Sequence, residues 1–441
     1  MAVSRDTICA LATGAPPAAI SIIRLSGPTV TDIADRLLRA GAPAPRKSTL
    51  DTLLNTAGEV IDTGLMVYMP GPASYTGEDT LELSLHGGRI VTELALQALI
   101  DTGARLAEPG EFTRRAFEAG KLDLTRAEAI ADLIDAESEA QHRQALKQLD
   151  GALADLYEGW RESLTECLAL LEASIDFPDE EDAPQNVVAP VLARLTALIA
   201  DLERALRDGN ITERIRDGFQ IAILGKPNAG KSTLLNVLAG RDAAIVTDIP
   251  GTTRDIIEVR LVIGGFLVRL ADTAGLRKSS DIVEIEGVRR ALKAADGADI
   301  RIWLYDAGEA FVPPEAYVTG DLVVANKSDL VPEVNVSRET IQISAKTGQG
   351  VDALIEAIKS RLSDMGVSSV SPIITRARHR QGITEGLGAL KQAVSMLDSG
   401  YGAELVSEEV RLASRRLGSL TGHVDAESVL GAVFSSFCIG K

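Results

Sequence analysis

The sequence predicts a multidomain α+β chain in which an α/β unit interrupts an all-helical domain. Two observations carry this. Strand and helix patterns alternate only between about residues 218 and 372, and helical texture flanks that stretch on both sides, neither flank offering a full bundle alone. Ahead of them, residues 1–120 mix strand-like and helix-like runs. The expected division is therefore 1–120, a helical domain formed by 121–217 with 373–441, and an inserted unit at 218–372. A chain of 441 residues is also too long for one core of ordinary size.

In order, ISIIRL, GLMVYM and TLELSL read as strands and IVTELALQALI as a helix, with Gly and Pro between them. From Arg126, Leu146, Leu149, Leu153, Leu156, Trp160, Leu164, Leu168, Leu171 and Ile175 recur at intervals of three and four, which predicts one long amphipathic helix ended by DFPDEED. A second helix, Val191, Leu195, Leu198, Leu202, Leu206, is expected to close near Gly209. FQIAIL, IIEVRLVI, FLVRLAD, IRIWLYDA, DLVVANK and TIQIS then lead to the helix DALIEAIKSRL, which predicts a parallel sheet covered on both faces. The stretch between Asp306 and Asp321 is too short and proline-broken for a crossover helix, so a reduced connection is expected.

Hydrophobic content of 45% with 24% charged residues describes a globular chain, and no uninterrupted apolar run of about 18 residues is present. The opening MAVSRDTICALATGAPP has too short an apolar run for a secretory signal, so a cytoplasmic address without membrane contact is expected. Cys9, Cys167 and Cys438 are odd in number and widely spaced, which suits neither a disulfide framework nor a zinc site. A net charge of −18 argues against a simple nucleic-acid binder. Local basic candidates are Arg114 with Arg115, the run Arg376, Arg378, His379, Arg380, and Arg411 with Arg415 and Arg416.

GKPNAGKS, Gly225–Ser232, lies between a strand and a helix pattern and satisfies the phosphate-loop spacing. Its glycines let amides turn toward a β-phosphate, Lys231 supplies charge to the β- and γ-phosphates, and Ser232 offers a hydroxyl to Mg²⁺. Thr253 in PGTTRD is placed to meet the same ion, Asp272 in DTAG is a second-shell carboxylate, and Gly275 offers an amide to the γ-phosphate. Asp329 in NKSD can accept from both N1–H and the exocyclic amine of guanine, and Ser344–Lys346 (SAK) supports the base. Leu276 stands where many nucleotide switches keep a water-orienting glutamine. Asn228 for a monovalent cation and Glu284 for the attacking water are candidate substitutes, against the bland readings of a turn residue and a surface acid.

Together with SIIRLSGP, SYTGEDTLEL, HGG, PGEFTRRAFEAGKLDLTRAEAIADLIDA and the terminal FSSFCIGK, these motifs resemble the tRNA modification GTPase family known as MnmE or TrmE, essentially end to end. The resemblance implies an N-terminal folate-binding domain that dimerises, a discontinuous helical domain and an inserted Ras-like P-loop G domain. It implies GTP hydrolysis coupled to placing a carboxymethylaminomethyl or aminomethyl group on C5 of the wobble uridine of certain tRNAs. A GidA/MnmG-type flavoprotein carrying FAD would join the homodimer in a hetero-oligomer, with 5-formyl- or methylene-tetrahydrofolate as the one-carbon source. GTP would meet Asn228, Ala229, Gly230, Lys231, Ser232 and Thr233; Thr247, Asp248, Ile249, Pro250, Gly251, Thr252 and Thr253; Asp272, Thr273, Ala274 and Gly275; Asn326, Lys327, Ser328 and Asp329; and Ser344, Ala345 and Lys346. K⁺ would be held by Asn228, Thr247, the Ile249 carbonyl and Thr252, promoting contact between G domains, and Mg²⁺ by Ser232 and Thr253. Glu284 matches the family glutamate that orients water, and Arg24, Glu82, Lys121 and Lys441 match its folate positions. Where the family often has a glycine-rich run, this chain has GAPPAAIS.

Cys438 four places from the end raises lipidation as a rival, but Gly440 and Lys441 suit a prenyl box poorly. The family likeness moves this thiol toward the modification site. Two further rivals are weaker. A ribosome-assembly GTPase would add a basic RNA-reading module, and a pure nucleotide switch would need no folate set.

Overall fold

The computed structural model describes residues 6–176, 188–240, 244–245, 258–271, 295–331, 337, 339–365, 374–422, 430–431, 433–434, 437 and 440. They fall into two compact units: Met1–Ala131 with Ala154–Gln185 and Gly400–Lys441, and Asp132–Leu153 with Asn186–Ser399. The helical segments are thus shared between the units, and the three-part division expected above is a finer one.

The first unit is built on β1 (Ile8–Leu11), β2 (Ile20–Ser26), β3 (Thr49–Leu54), β4 (Val60–Met69), β5 (Thr80–His86) and β6 (Arg105–Leu106), with α1 (Val30–Leu37) after β2 and α2 (Arg89–Asp101) after β5. The sheet order is β3-β4-β5-β2-β1-β6, antiparallel except for β1 with β6. Period-two alternation sorts its faces: Ile23 and Leu25 of β2 and Leu81, Leu83 and Leu85 of β5 enter the core with Val30, Ile33 and Leu37 of α1. Each such side chain contributes about 1.5–3 kcal/mol by leaving water. The same alternation sends Arg24 and Glu82 to the opposite face, directly across the β2–β5 ladder from each other.

Three helices follow in α3 (Glu111–Glu118), α4 (Leu124–Ile134) and α5 (Glu139–Leu149). The single helix expected across 146–175 is instead α5 and α6 (Ala152–Asp176), broken at Gly151, whose φ of 105° suits glycine. The buried seam of α6 is Leu153, Tyr157, Trp160, Leu164, Cys167 and Leu171, so Leu146, which is exposed, and Leu156 and Leu168 are off it. α7 (Val188–Asp217) does not stop at Gly209 but runs through it. A Cβ there would lie 2.6 Å from Ile374 Cδ1 and 2.8 Å from Ile374 Cβ, so this glycine is a packing notch and not a terminus.

The second unit holds β7 (Phe219–Leu224), α8 (Lys231–Ala239), β8 (Ala244–Ile245), β9 (Glu258–Ile263), β10 (Phe266–Ala271), β11 (Ile300–Asp306), β12 (Leu322–Asn326), β13 (Ile341–Gln342) and α9 (Val351–Asp364). Its order is β13-β12-β11-β7-β10-β9-β8. The expected all-parallel sheet is corrected to a mixed one, because β8, β9 and β10 pair antiparallel while β10, β7, β11, β12 and β13 run parallel. The cause is the two-residue turn Gly264–Gly265, with φ of 61° and 84°, which closes a hairpin and leaves no room for a crossover. Between β11 and β12 no helix forms; Phe311 packs 5.2 Å from the Tyr305 ring and 5.9 Å from Tyr317, closing the reduced connection with aromatics.

α10 (Ala377–Asp398) packs on α7 within this unit, and α11 (Ala403–Thr421) belongs to the first. The end of the chain is anchored in the first unit. Leu430, Val433, Phe434 and Phe437 are buried with Leu124 and Ala127 of α4, and a Cβ at Gly110 would lie 2.9 Å from Phe434 O. No described helix is long and apolar enough to cross a membrane.

Candidate functional site

Gly225 follows β7 with φ of 150°, and a Cβ there would lie 2.0 Å from Leu304 O of β11. The phosphate loop therefore leaves its strand where only glycine fits. Asn228 takes φ of 64°, a left-handed conformation asparagine tolerates, and Gly230 caps α8 at φ of 95°. Lys231 Nζ donates to the carbonyls of Gly225 at 2.7 Å and Lys226 at 2.8 Å, lying across the mouth of the loop. This is a cradle of backbone at a helix N-terminus with a lysine over it, an arrangement suited to polyphosphate.

Asn326, 2% exposed at the end of β12, ties three motifs together. Its Nδ2 donates to Ala229 O at 2.8 Å and its Oδ1 accepts from Ala345 N at 2.9 Å. A Cβ at Gly230 would lie 2.2 Å from that Nδ2, so the loop needs glycine here as well. Lys327, at φ of 64°, pairs with Asp306 at 2.8 Å and holds that carboxyl below its usual range. Ser328 N donates to Ile343 O at 3.1 Å, and Asp329 stands exposed in the short 3₁₀ turn Ser328–Leu330. Ser344 and Ala345 are buried beside it, with Lys346 exposed. The fold thus brings Asn228–Thr233, Asn326–Asp329 and Ser344–Lys346 to the carboxyl ends of the parallel strands. Thr247, Asp248, Ile249, Pro250, Gly251, Thr252, Thr253, Asp272, Thr273, Ala274, Gly275 and Glu284 lie outside the described residues.

A second polar group occupies the outer face of the N-terminal sheet. Arg24 donates from Nε to Glu82 Oε1 at 2.9 Å, and its Nη2 meets the same oxygen at 2.7 Å. Glu82 Oε2 is thereby left to accept from elsewhere. The Arg24 guanidinium lies 5.6 Å from the Tyr75 ring centroid and 5.8 Å from that of Phe112, within cation–π range. Tyr75 O–H and Thr113 Oγ1 are 2.9 Å apart, which fixes the ring. The stem of Lys121 lies by Gly77 in the same loop as Tyr75, where an added Cβ would come within 3.6 Å of Lys121 Cε. The chain's end reaches this sheet too: a Cβ at Gly440 would lie 2.0 Å from Leu11 O, in the strand that pairs with β2. Lys441 and Cys438 lie outside the described residues. Near GAPPAAIS, Ala18 N donates to Gly87 O at 2.9 Å, so the turn is pinned to the HGG motif.

The motifs SYTGEDTLEL and PGEFTRRAF contain Tyr75 and the buried Phe112, the two rings against Arg24, but nothing in the sequence singles them out. Neighbouring PGEFTRR residues form a buried charge cluster: Glu111, 1% exposed, meets Arg105 at 2.6 Å and Arg115 at 2.9 Å. Burial pushes the Glu111 carboxyl up, but the bonds from Arg105, Glu108 N and Arg115 outweigh it and hold the pKa at about 2. Arg115 also meets Glu78 at 3.1 Å. The basic runs considered as phosphate footprints are largely internal ion pairs: Arg114 with Glu108 at 3.3 Å, Arg376 with Asp132, Arg380 with Glu213 and Arg411 with Glu172, each at 2.8 Å. His379 is fully buried.

The family described as GTP-binding protein TrmE N-terminus matches residues 7–121, and the MnmE helical domain matches residues 124–438. The tRNA modification GTPase MnmE of Hyphomonas neptunium is 55% identical over 99% of this chain and 100% of its own length. Those of Parvibaculum lavamentivorans and Caulobacter vibrioides are 50% and 49% identical, each over 99% of this chain and 100% of the relative. Among solved structures, the G domain of T. maritima FeoB is 25% identical over 32% of this chain and 98% of that chain, with a TM-score of 0.24.

Proposed function

The chain belongs to the tRNA modification GTPase MnmE family, and from that premise we propose how its own residues carry out the reaction. It is a GTP hydrolase involved in tRNA modification. The observation that supports the site assignment most is Asn326, which holds the phosphate loop and the SAK loop in one hydrogen-bonded frame. In that frame Lys231 turns from the loop carbonyls to the β- and γ-phosphates, Ser232 and Thr253 would hold Mg²⁺, and Asp329 selects guanine over adenine.

With Leu276 unable to orient water, Glu284 takes that role. Asn228, Thr247, the Ile249 carbonyl and Thr252 would hold K⁺, which would supply positive charge beside the phosphates. Glu284→Ala is expected to bind nucleotide and fail to hydrolyse it. Equal turnover in K⁺ and Na⁺ would retire the cation assignment.

The Arg24 group is the proposed folate site. A pterin amide and amine edge suits the carboxylate of Glu82, its ring suits the partly exposed ring of Tyr75, with the buried Phe112 backing Arg24 from behind, and Lys121 with Lys441 suits an anionic glutamate tail. Tetrahydrofolate would supply the one-carbon unit there, and Cys438 of the terminal motif is proposed to act in the same reaction. The full reading places a carboxymethylaminomethyl or aminomethyl group on the wobble uridine, in a homodimer working with a GidA/MnmG-type flavoprotein that carries FAD. The domain limits 1–120, 121–217 with 373–441, and 218–372 belong to the same proposal, as does a cytoplasmic location. Titration calorimetry with 5-formyltetrahydrofolate tests the folate assignment: heat from the intact protein and none from Arg24→Ala supports it, and no heat from the intact protein removes it.

A further inference from the structure

The β9–β10 hairpin links both γ-phosphate motifs to the helical segment. By sequence, Thr253 precedes the first residue of β9, Glu258, by five positions, and Asp272 follows the last residue of β10, Ala271. A two-stranded antiparallel ladder from Glu258 to Ala271 joins these ends through Gly264 and Gly265. The hairpin, bonded on one side to β7 and on the other to β8, thus stands between the two motifs in the chain.

The far end of that hairpin is fastened to α5. Gly265 O accepts from Ala140 N at 3.0 Å, using one of the amides that the first turn of a helix leaves without an internal partner. Arg260 Nη1 donates to Glu137 Oε1 at 2.7 Å, in a pair whose side chains are 27% and 21% exposed. Ala140 is itself buried in the same core as Ile263 and Phe266. Glu137 in turn is held to α7: its amide donates to Gln141 Oε1 at 2.8 Å, and Gln141 Nε2 donates to Arg216 O at 2.7 Å. α7 ends at Asp217 and leads directly into β7, the strand of the phosphate loop. The hairpin, the α5 N-terminus and the α7 C-terminus thus form a closed hydrogen-bonded circuit.

We propose that Glu137 is a positioning residue that couples the nucleotide state of the γ-phosphate motifs to the helical segment through its ion pair with Arg260. The proposal rests on the GTPase reading. It needs no contact between Glu137 and nucleotide, because the hairpin carries the displacement and the pair fixes where it is delivered.

Hydrogen–deuterium exchange of the full-length protein, with and without a non-hydrolysable GTP analogue, tests it. In the wild type, exchange of the peptide containing Ala140 should change about fivefold or more on nucleotide binding, the scale of ordinary site-to-site coupling. Glu137→Gln should lose that response while the phosphate-loop peptide, Gly225–Thr233, remains protected. The exchanged pair Glu137→Arg with Arg260→Glu should restore it, an effect that loss of folding would not reproduce. A wild-type α5 peptide indifferent to nucleotide while the phosphate loop is protected would overturn the coupling, as would a full response in Glu137→Gln. Absence of protection at the phosphate loop itself would instead overturn the GTPase reading, and the coupling with it.

Discussion

Asn326 holds Ala229: the asparagine Nδ2 at the end of β12 donates to the phosphate-loop carbonyl at 2.8 Å, while the same side chain accepts from Ala345 N at 2.9 Å. The residue three positions before Asp329, the proposed base reader, thus fixes the loop proposed to receive the phosphates. Asn326→Ala leaves two buried backbone groups unpaired, each at about 1–3 kcal/mol. The expected result is roughly a tenfold or greater weakening of GDP and GTP alike, read by fluorescent-nucleotide titration, with the circular dichroism spectrum unchanged.

Asp329 is exposed in its 3₁₀ turn. Asp329→Asn replaces an acceptor of two guanine donors with an amide that can donate to a carbonyl. Affinity for GTP should fall and that for xanthosine triphosphate should rise. Unchanged GTP affinity would sink the base-reading assignment.

Much of this is legible in the sequence, for physical reasons that differ by element. The phosphate loop was readable because its glycines have no substitute: Gly225 and Gly230 face Leu304 O and Asn326 Nδ2 at distances no Cβ tolerates. Arg24 and Glu82 were readable only through family likeness, since cross-strand register is a tertiary fact that brings residues 58 positions apart together. The packing of Tyr75 and Phe112 against Arg24 is hidden for the same reason. The misreadings have local causes: Gly151 breaks a leucine periodicity that continues on paper, and Gly209 looks like a helix end until Ile374 fills the space beside it. The Gly264–Gly265 pair carries the turn chemistry of a hairpin, a signal that strand–helix alternation alone does not register.

Gly209 offers a stability test. Alanine normally favours a helix interior by about 1 kcal/mol over glycine, yet here its Cβ would press on Ile374 at 2.6–2.8 Å. Gly209→Ala should therefore destabilise by about 1–3 kcal/mol in urea unfolding, with partial recovery when Ile374 is shortened to Val.

Glu111 gives a pH dependence with a definite sign. Burial raises its pKa, but Arg105, Glu108 N and Arg115 depress it further, from 4.5 to about 2. A carboxylate depressed in the folded state contributes stability above its unfolded pKa and loses it as pH falls through the folded value. About 3 kcal/mol should thus be present above pH ~4.5 and disappear progressively toward pH ~2. Glu111→Gln should flatten the acid limb of the stability curve over that window, and an unchanged limb would contradict the assignment.

Nucleoside mass spectrometry of tRNA from a deletion strain tests the proposed tRNA modification most directly. Loss of the C5-modified wobble uridine is expected, with its return on adding the wild-type chain and no return with Lys231→Ala. An intact modification profile in the deletion strain would contradict it.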